Sequence, residues 1–249
     1  MLQSTLMATA LSQAQSGQGQ LLMYLDRRLE GERRRVCDSV QQTGFWFVDI
    51  PRTSSTSIRA LLGERFGFPH GKRNTFGQVP RTPMSWLLVN HTPASVARIV
   101  IGEELWDRLT TFAVVRHPCT WARSLYLYAQ RYETLGVPKE TSFLRFLEIV
   151  EERVRVPLGN RMVYPINLKQ SDYIFADEVP LVKHILHFED RNAVEGFFRQ
   201  SLGLADFDLG KTMASGADNG SVDTSGREKA IIRSLFREDF ERLRYPTGV

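Results

Sequence analysis

Residues 47–62 read FVDIPRTSSTSIRALL. The stretch opens inside FWFVDI (45–50), a short run rich in aromatic and β-branched residues that Pro51 closes, which is the pattern of a buried strand. It ends with apolar residues at 58, 61, 62 and 66, one face of a helix running from Ser54 to Phe66. Between the two lie Thr53, Ser54, Ser55, Thr56 and Ser57, five consecutive hydroxyls where a helix N-cap needs only one. A strand that feeds directly into a helix aims the helix's unpaired N–H groups and positive dipole end above the sheet edge, where they favour an anion. The hydroxyls add donors there, and Arg52 adds a fixed positive fork. The stretch is therefore read as a phosphate-binding loop, with an ordinary cap followed by filler hydroxyls as the competing reading. It is not a Walker A loop, because the chain has no G-x-x-x-x-G-K-[ST].

Outward from this stretch, further strands are expected at WLLVN (86–90), TFAVV (111–115) and KHILHF (183–188). Helices are expected over Leu21–Val40, Glu103–Leu109, Pro118–Tyr132, Ser142–Val154, Asn192–Leu202 and Ser225–Tyr245, with a polar loop at 211–221. Strands alternating with helices imply an α/β fold with a central, mostly parallel sheet flanked by helices, and ligands in such sheets bind at the carboxyl ends of the strands. The 249 residues, 42% of them hydrophobic, suffice for one sizeable core. Residues 1–20, rich in Gln, Ser and Gly, are expected to be poorly ordered ahead of a single domain over 21–249.

A net charge of +4 suits anionic ligands but is no nucleic-acid-binding stripe, and Arg33, Arg34 and Arg35 read as a solvated helix face. Cys37 and Cys119 make no disulfide framework and no Cys-x-x-Cys motif, which fits a reducing compartment and an expected cytoplasmic location. No apolar run of about 18 residues or more occurs, so no transmembrane segment is expected, and the first twenty residues do not read as a secretory signal.

A second strand–turn–helix, TFAVVRHPCTWARSLYLY (111–128), repeats the logic of the first. Arg116 stands at the strand's end and Ser124 about two helical turns later, a pair able to pinch a second phosphate. The alternative is an Arg116–carboxylate pair with Ser124 facing solvent. Of the five histidines, His91 follows a strand and so belongs at the ligand edge. His117 lies in the phosphate turn, His184 and His187 alternate with apolar residues, and His70 lies in a Pro/Gly-containing loop.

PRTSSTS (51–57) resembles the 5′-phosphosulfate loop of sulfotransferases, and VVRHPCTWARSLY (114–126) resembles their 3′-phosphate motif. HTPASVARIVIGEELWDRL (91–109) is similar to the segment carrying the catalytic His in the carbohydrate, heparan 2-O-sulfotransferase-like branch. QSDYI (170–174), HFEDR (187–191) and DFERLRY (239–245) resemble later landmarks of bacterial members. The resemblance spans about residues 45–245. It implies a P-loop-like three-layer fold and 3′-phosphoadenosine 5′-phosphosulfate as co-substrate, with no metal. The implied acceptor is a hydroxyl or amine, on a carbohydrate, a glycolipid or another alcohol. It implies that Arg52, Thr53, Ser54, Ser55, Thr56 and Ser57 hold the 5′-phosphosulfate and that Arg116 and Ser124 hold the 3′-phosphate. His91 would be the general base, with Arg52 stabilising the leaving oxygen. Glu189 and Lys211 are weaker candidates, and Lys72, Arg73 and Arg81 are candidates for an acidic-sugar cleft. Two positions depart from the pattern. Arg52 stands where the family usually has Lys, although some Golgi members also use Arg, and Trp121 stands where Arg is common. Arg123 is out of phase with that position and takes no role. A small-molecule P-loop kinase and a non-catalytic nucleotide-binding module remain the rival readings.

Overall fold

A computed structural model describes residues 30–68, 91–132, 137–154, 169–208 and 224–247. The expected strand at 86–90, the polar loop at 211–221, the first twenty residues, and His70, Lys72, Arg73, Arg81 and Lys211 lie outside the described residues.

The apolar run 45–48 forms β1 (Phe45–Val48), buried at every position, and leads through a turn into α2 (Ser55–Phe66). Helix α1 (Glu30–Thr43) precedes β1. Two short helices follow, α3 (Ala94–Ile101) and α4 (Glu103–Arg108), before β2 (Thr110–Val115) and α5 (Pro118–Tyr132). Next come α6 (Phe143–Val154), α7 (Gln170–Ile174) and the small antiparallel pair β3 (Phe175–Ala176) and β4 (Val179–Pro180). The chain then forms β5 (His184–His187), α8 (Arg191–Gln200), α9 (Gly226–Leu235) and α10 (Arg237–Arg242).

Strands β1, β2 and β5 make a parallel sheet in the order β1-β2-β5, with Phe45 opposite Thr110 and Phe112 opposite His184. Parallel pairing fits the apolar sequences of β1 and β2, whose positions are buried almost throughout, while β5 (HILH) is a partly exposed edge strand. At the centre, the Phe112 ring meets Phe45, Phe47, Phe197 and Phe198 at centroid distances of 6.1, 5.1, 4.9 and 5.7 Å. Each such fully buried ring contributes about 1.5–3 kcal/mol relative to exposure. The sheet is therefore anchored by a buried aromatic layer toward its amino ends and centre, and the two turns leave β1 and β2 at the opposite, carboxyl ends.

Two expectations are corrected, and one helix appears where the sequence reading placed no element. The helix expected over 225–245 is two helices, because Phe236 leaves helical geometry (φ −109°, ψ 27°) and is buried against Trp121. The segment 94–101 is helical; its run of Val and Ile has no clear period, and it is buried on nearly every side. Arg33 is not simply solvated: its Nε donates to the Val100 carbonyl at 2.8 Å, satisfying the C-terminal end of α3. Among the described residues, no helix is long and apolar enough to cross a membrane.

Candidate active site

The turn from β1 to α2 is held in a conformation its residues do not prefer. Arg52 and Ser54 both have left-handed backbones (φ 67° and 65°), as does His91 (φ 68°). For non-glycine residues this costs about 1–2 kcal/mol each, so surrounding contacts must impose it. Two contacts do so here. Trp121, fully buried on α5, donates from Nε1 to the Pro51 carbonyl at 2.7 Å, and the Thr53 hydroxyl donates to the Ile50 carbonyl at 2.8 Å. Trp121 is thus an anchor for the loop in place of a charged ligand, and Thr53 gives its hydroxyl to the turn. Ser54 occupies the N-cap without a side-chain cap bond, Ser55 is buried, Thr56 is exposed and Ser57 is half-buried.

The second turn comes to the same place. Arg52 Nε donates to Ser124 Oγ at 3.1 Å, and the Arg52 guanidinium lies over the Tyr128 ring. Ser124 therefore meets the first loop's arginine, while Arg116 Nε donates to Thr120 Oγ1 at 3.1 Å and its guanidinium lies over Phe188. Arg116 is only 8% exposed. Burial pulls its pKa below the ordinary guanidinium value; Glu189 opposes this, and the nearby positive charge of Arg52 adds to it. Two guanidiniums thus lie at the carboxyl ends of adjacent strands, Arg52 adding to the cost of charge on Arg116, and an anion between them would relieve that repulsion.

Arg116 is fixed by residues that sequence reading did not single out. As the chain leaves β2, its backbone groups need partners. The Gln170 side chain supplies both, accepting from Arg116 N at 2.8 Å and donating to Arg116 O at 2.7 Å, as a neighbouring strand would. Gln170 is held in turn by Asp239, fully buried, which accepts from the N–H groups of Gln170 (3.1 Å) and Ser171 (2.8 Å). Burial pushes the Asp239 carboxyl up to about 6, against the downward pull of those donors. Both partners lie in segments that carried the resemblance, QSDYI and DFERLRY, which was the only signal for them.

His91 meets Asp49, the residue that follows β1. Its Nδ1 is 3.0 Å from the Asp49 carbonyl oxygen and 3.3 Å from Asp49 Oδ1. The buried Asp49 carboxylate also lies 2.9 Å, through Oδ2, from Nε of Arg59 on α2. Asp49 and Arg59 escaped the sequence reading, although a lone carboxylate within FWFVDI was a visible irregularity. Glu189 is a positioning group, accepting from His117 N at 2.7 Å and from the Tyr245 hydroxyl at 2.9 Å. Of the remaining histidines, His117 and His187 pack on the Tyr245 ring, and burial lowers the pKa of both. His184 packs on Phe197, and Arg123 lies over Phe143. Among the described residues, no group of three or more His, Cys, Asp or Glu is placed to hold a metal.

The structure thus brings Arg52, Ser124 and Arg116 together at the carboxyl ends of β1 and β2, with the 54–57 hydroxyls at the start of α2 and His91 against Asp49. Comparison with protein-family models, with curated proteins and with solved structures found no match for this chain.

Proposed function

We propose that this chain is a sulfotransferase that moves the sulfuryl group of 3′-phosphoadenosine 5′-phosphosulfate to a hydroxyl or amine, most plainly of a carbohydrate or glycolipid. The observation that carries the reading is the convergence of Arg52 and Arg116 beside Ser124. Like charges at the ends of two parallel strands, one of them buried, are useful when a polyanion is to be bound at two points. The P-loop-like architecture belongs to the same proposal: a strand running through a hydroxyl-rich turn into a helix, beside a second strand–turn–helix.

In this reading Arg52, the hydroxyls of 54–57 and the backbone of the turn with Thr53 cradle the 5′-phosphosulfate. Arg116 takes the 3′-phosphate, with Ser124, which also meets Arg52, as the second contact. The S–O bond to the 5′-phosphate breaks as a new S–O bond (or S–N bond, for an amine) forms to the acceptor. The electron pair leaves with the 5′-phosphate oxygen, where Arg52 stabilises the growing charge. His91 removes the acceptor's proton through its free nitrogen. Positioning and fixed charge do most of the work, as in phosphoryl transfer.

The test is transfer of radiolabelled sulfate from the donor to a panel of saccharides, glycolipids and simple alcohols. Arg52 supplies the positive charge that a metal would otherwise bring, so label is expected on a hydroxyl acceptor with EDTA present. Activity abolished by EDTA and restored by magnesium, with ATP as the better donor, would replace this reading with that of a kinase. Tight binding of the product nucleotide without transfer to any member of the panel would favour a non-catalytic module.

A further inference from the structure

Asp49 is an unexpected charge. It follows four buried strand residues, is itself fully buried, and is costly there unless paired. Arg59, 9% exposed, is the ionic partner on Oδ2. On the other side, the Asp49 carbonyl oxygen and Oδ1 lie 3.0 and 3.3 Å from a single nitrogen, His91 Nδ1. A carbonyl oxygen and a carboxylate oxygen accept hydrogen bonds and do not donate, so the nitrogen facing both must carry the proton. A neutral imidazole has one N–H, which leaves the lone pair on Nε2. Tyr173 is the other titratable group whose charge couples to Asp49; burial and the Asp49 charge push its phenol well above the ordinary range, so it stays neutral.

We propose that Asp49 is a positioning residue for His91: its carbonyl oxygen and its carboxylate, the latter oriented by Arg59, together hold the imidazole with its proton on Nδ1 and its lone pair on Nε2. This deepens the reading of His91 as the base, and rests on it, because only the Nε2 lone pair is left to take the acceptor's proton. The logic is that of any buried carboxylate behind a catalytic histidine, where the acid sets tautomer and orientation and stays ionised. Arg59 gives it a direction. In Asp49→Asn the guanidinium attracts the amide oxygen, which turns the amide NH₂ toward His91 Nδ1. A donor then faces a donor on that side, while the backbone carbonyl at 49 still accepts from Nδ1, so the preference for Nδ1–H weakens.

The experiment is long-range proton–nitrogen NMR on the full chain labelled with nitrogen-15 histidine, at about pH 8, where an ordinary imidazole is neutral. His91 is assigned by the signals missing from His91→Ala. The wild-type chain is expected to show the Nδ1–H tautomer in at least about tenfold excess, the value of one good hydrogen bond. In Asp49→Asn, where the backbone carbonyl at 49 is kept, that ratio is expected to fall several-fold. Asp49→Asn with Arg59→Met frees the amide to turn its oxygen to His91, and the ratio is expected to recover. Asp49→Leu with Arg59→Met removes the charge pair together and keeps a readout if the single variant does not fold; there the ratio falls several-fold. A wild-type chain with Nε2–H in excess overturns the proposal, as does a ratio unchanged in Asp49→Asn or in the Leu/Met pair. The spectra need neither donor nor acceptor. A chain with the expected tautomers that transfers no sulfate keeps the role of Asp49 and drops the enzymatic reading; a transferring chain with mixed tautomers does the reverse.

Discussion

His91→Ala is expected to lower the turnover of sulfate transfer by about 10²–10⁴-fold, the usual contribution of a positioned general base. Donor affinity should change little, because His91 contacts Asp49 and not the arginines proposed to bind the donor's phosphates, one of which, Arg52, meets Ser124. The effect therefore belongs in kcat and not in the donor's dissociation constant. Arg52→Ala is its counterpart: Arg52 faces charge in both the bound donor and the transition state, so both quantities should suffer. Steady-state rates with a hydroxyl acceptor, alongside calorimetric donor binding, separate the two. Near wild-type turnover in His91→Ala at neutral pH would make His91 structural, held by Asp49 for packing alone.

The largest stability effect is expected at Trp121. Its side chain is fully buried, lies edge-on to Phe236 at 5.3 Å, and satisfies the Pro51 carbonyl through Nε1. Trp121→Ala leaves a large cavity and should cost about 3–5 kcal/mol. Trp121→Phe keeps most of the packing but strands the Pro51 carbonyl, which should cost about 1–3 kcal/mol. Because that carbonyl belongs to the turn that holds Arg52 left-handed, the Phe variant should also weaken nucleotide binding beyond its loss of stability. Urea unfolding measures the first effect and calorimetry the second. A change below about 0.5 kcal/mol in the Ala variant, the scale of an ordinary surface substitution, would contradict the anchoring role.

Legibility from sequence followed the range of the interactions. The strands at 45–48, 110–115 and 184–187 and the long helices were visible because apolar runs and periods are local. Helix 94–101 was not, since a short run of Ala, Val and Ile reads equally as strand or helix until its neighbours are known. The break at Phe236 was invisible too: Phe236 packs on Trp121, more than a hundred residues away in sequence, a contact with no local signature. At the site, Arg52, Ser124, Arg116 and His91 were named from their places after strands or from resemblance. The residues that fix them, Asp49, Arg59, Gln170 and Asp239, act through contacts with no spacing signature. Thr53 and Trp121 show the converse. Both sit inside motif-like stretches, and their side chains turn inward to hold the loop.

The central claim, that two separate phosphate groups of one nucleotide meet Arg52 and Arg116, is tested most directly by calorimetry with 3′-phosphoadenosine 5′-phosphate against AMP. Each charged hydrogen bond contributes about 1.5–3 kcal/mol, so the 3′-phosphate should tighten binding at least about tenfold. Arg116→Ala should bring the two affinities together. Equal affinity for both nucleotides in the wild-type chain would contradict the account.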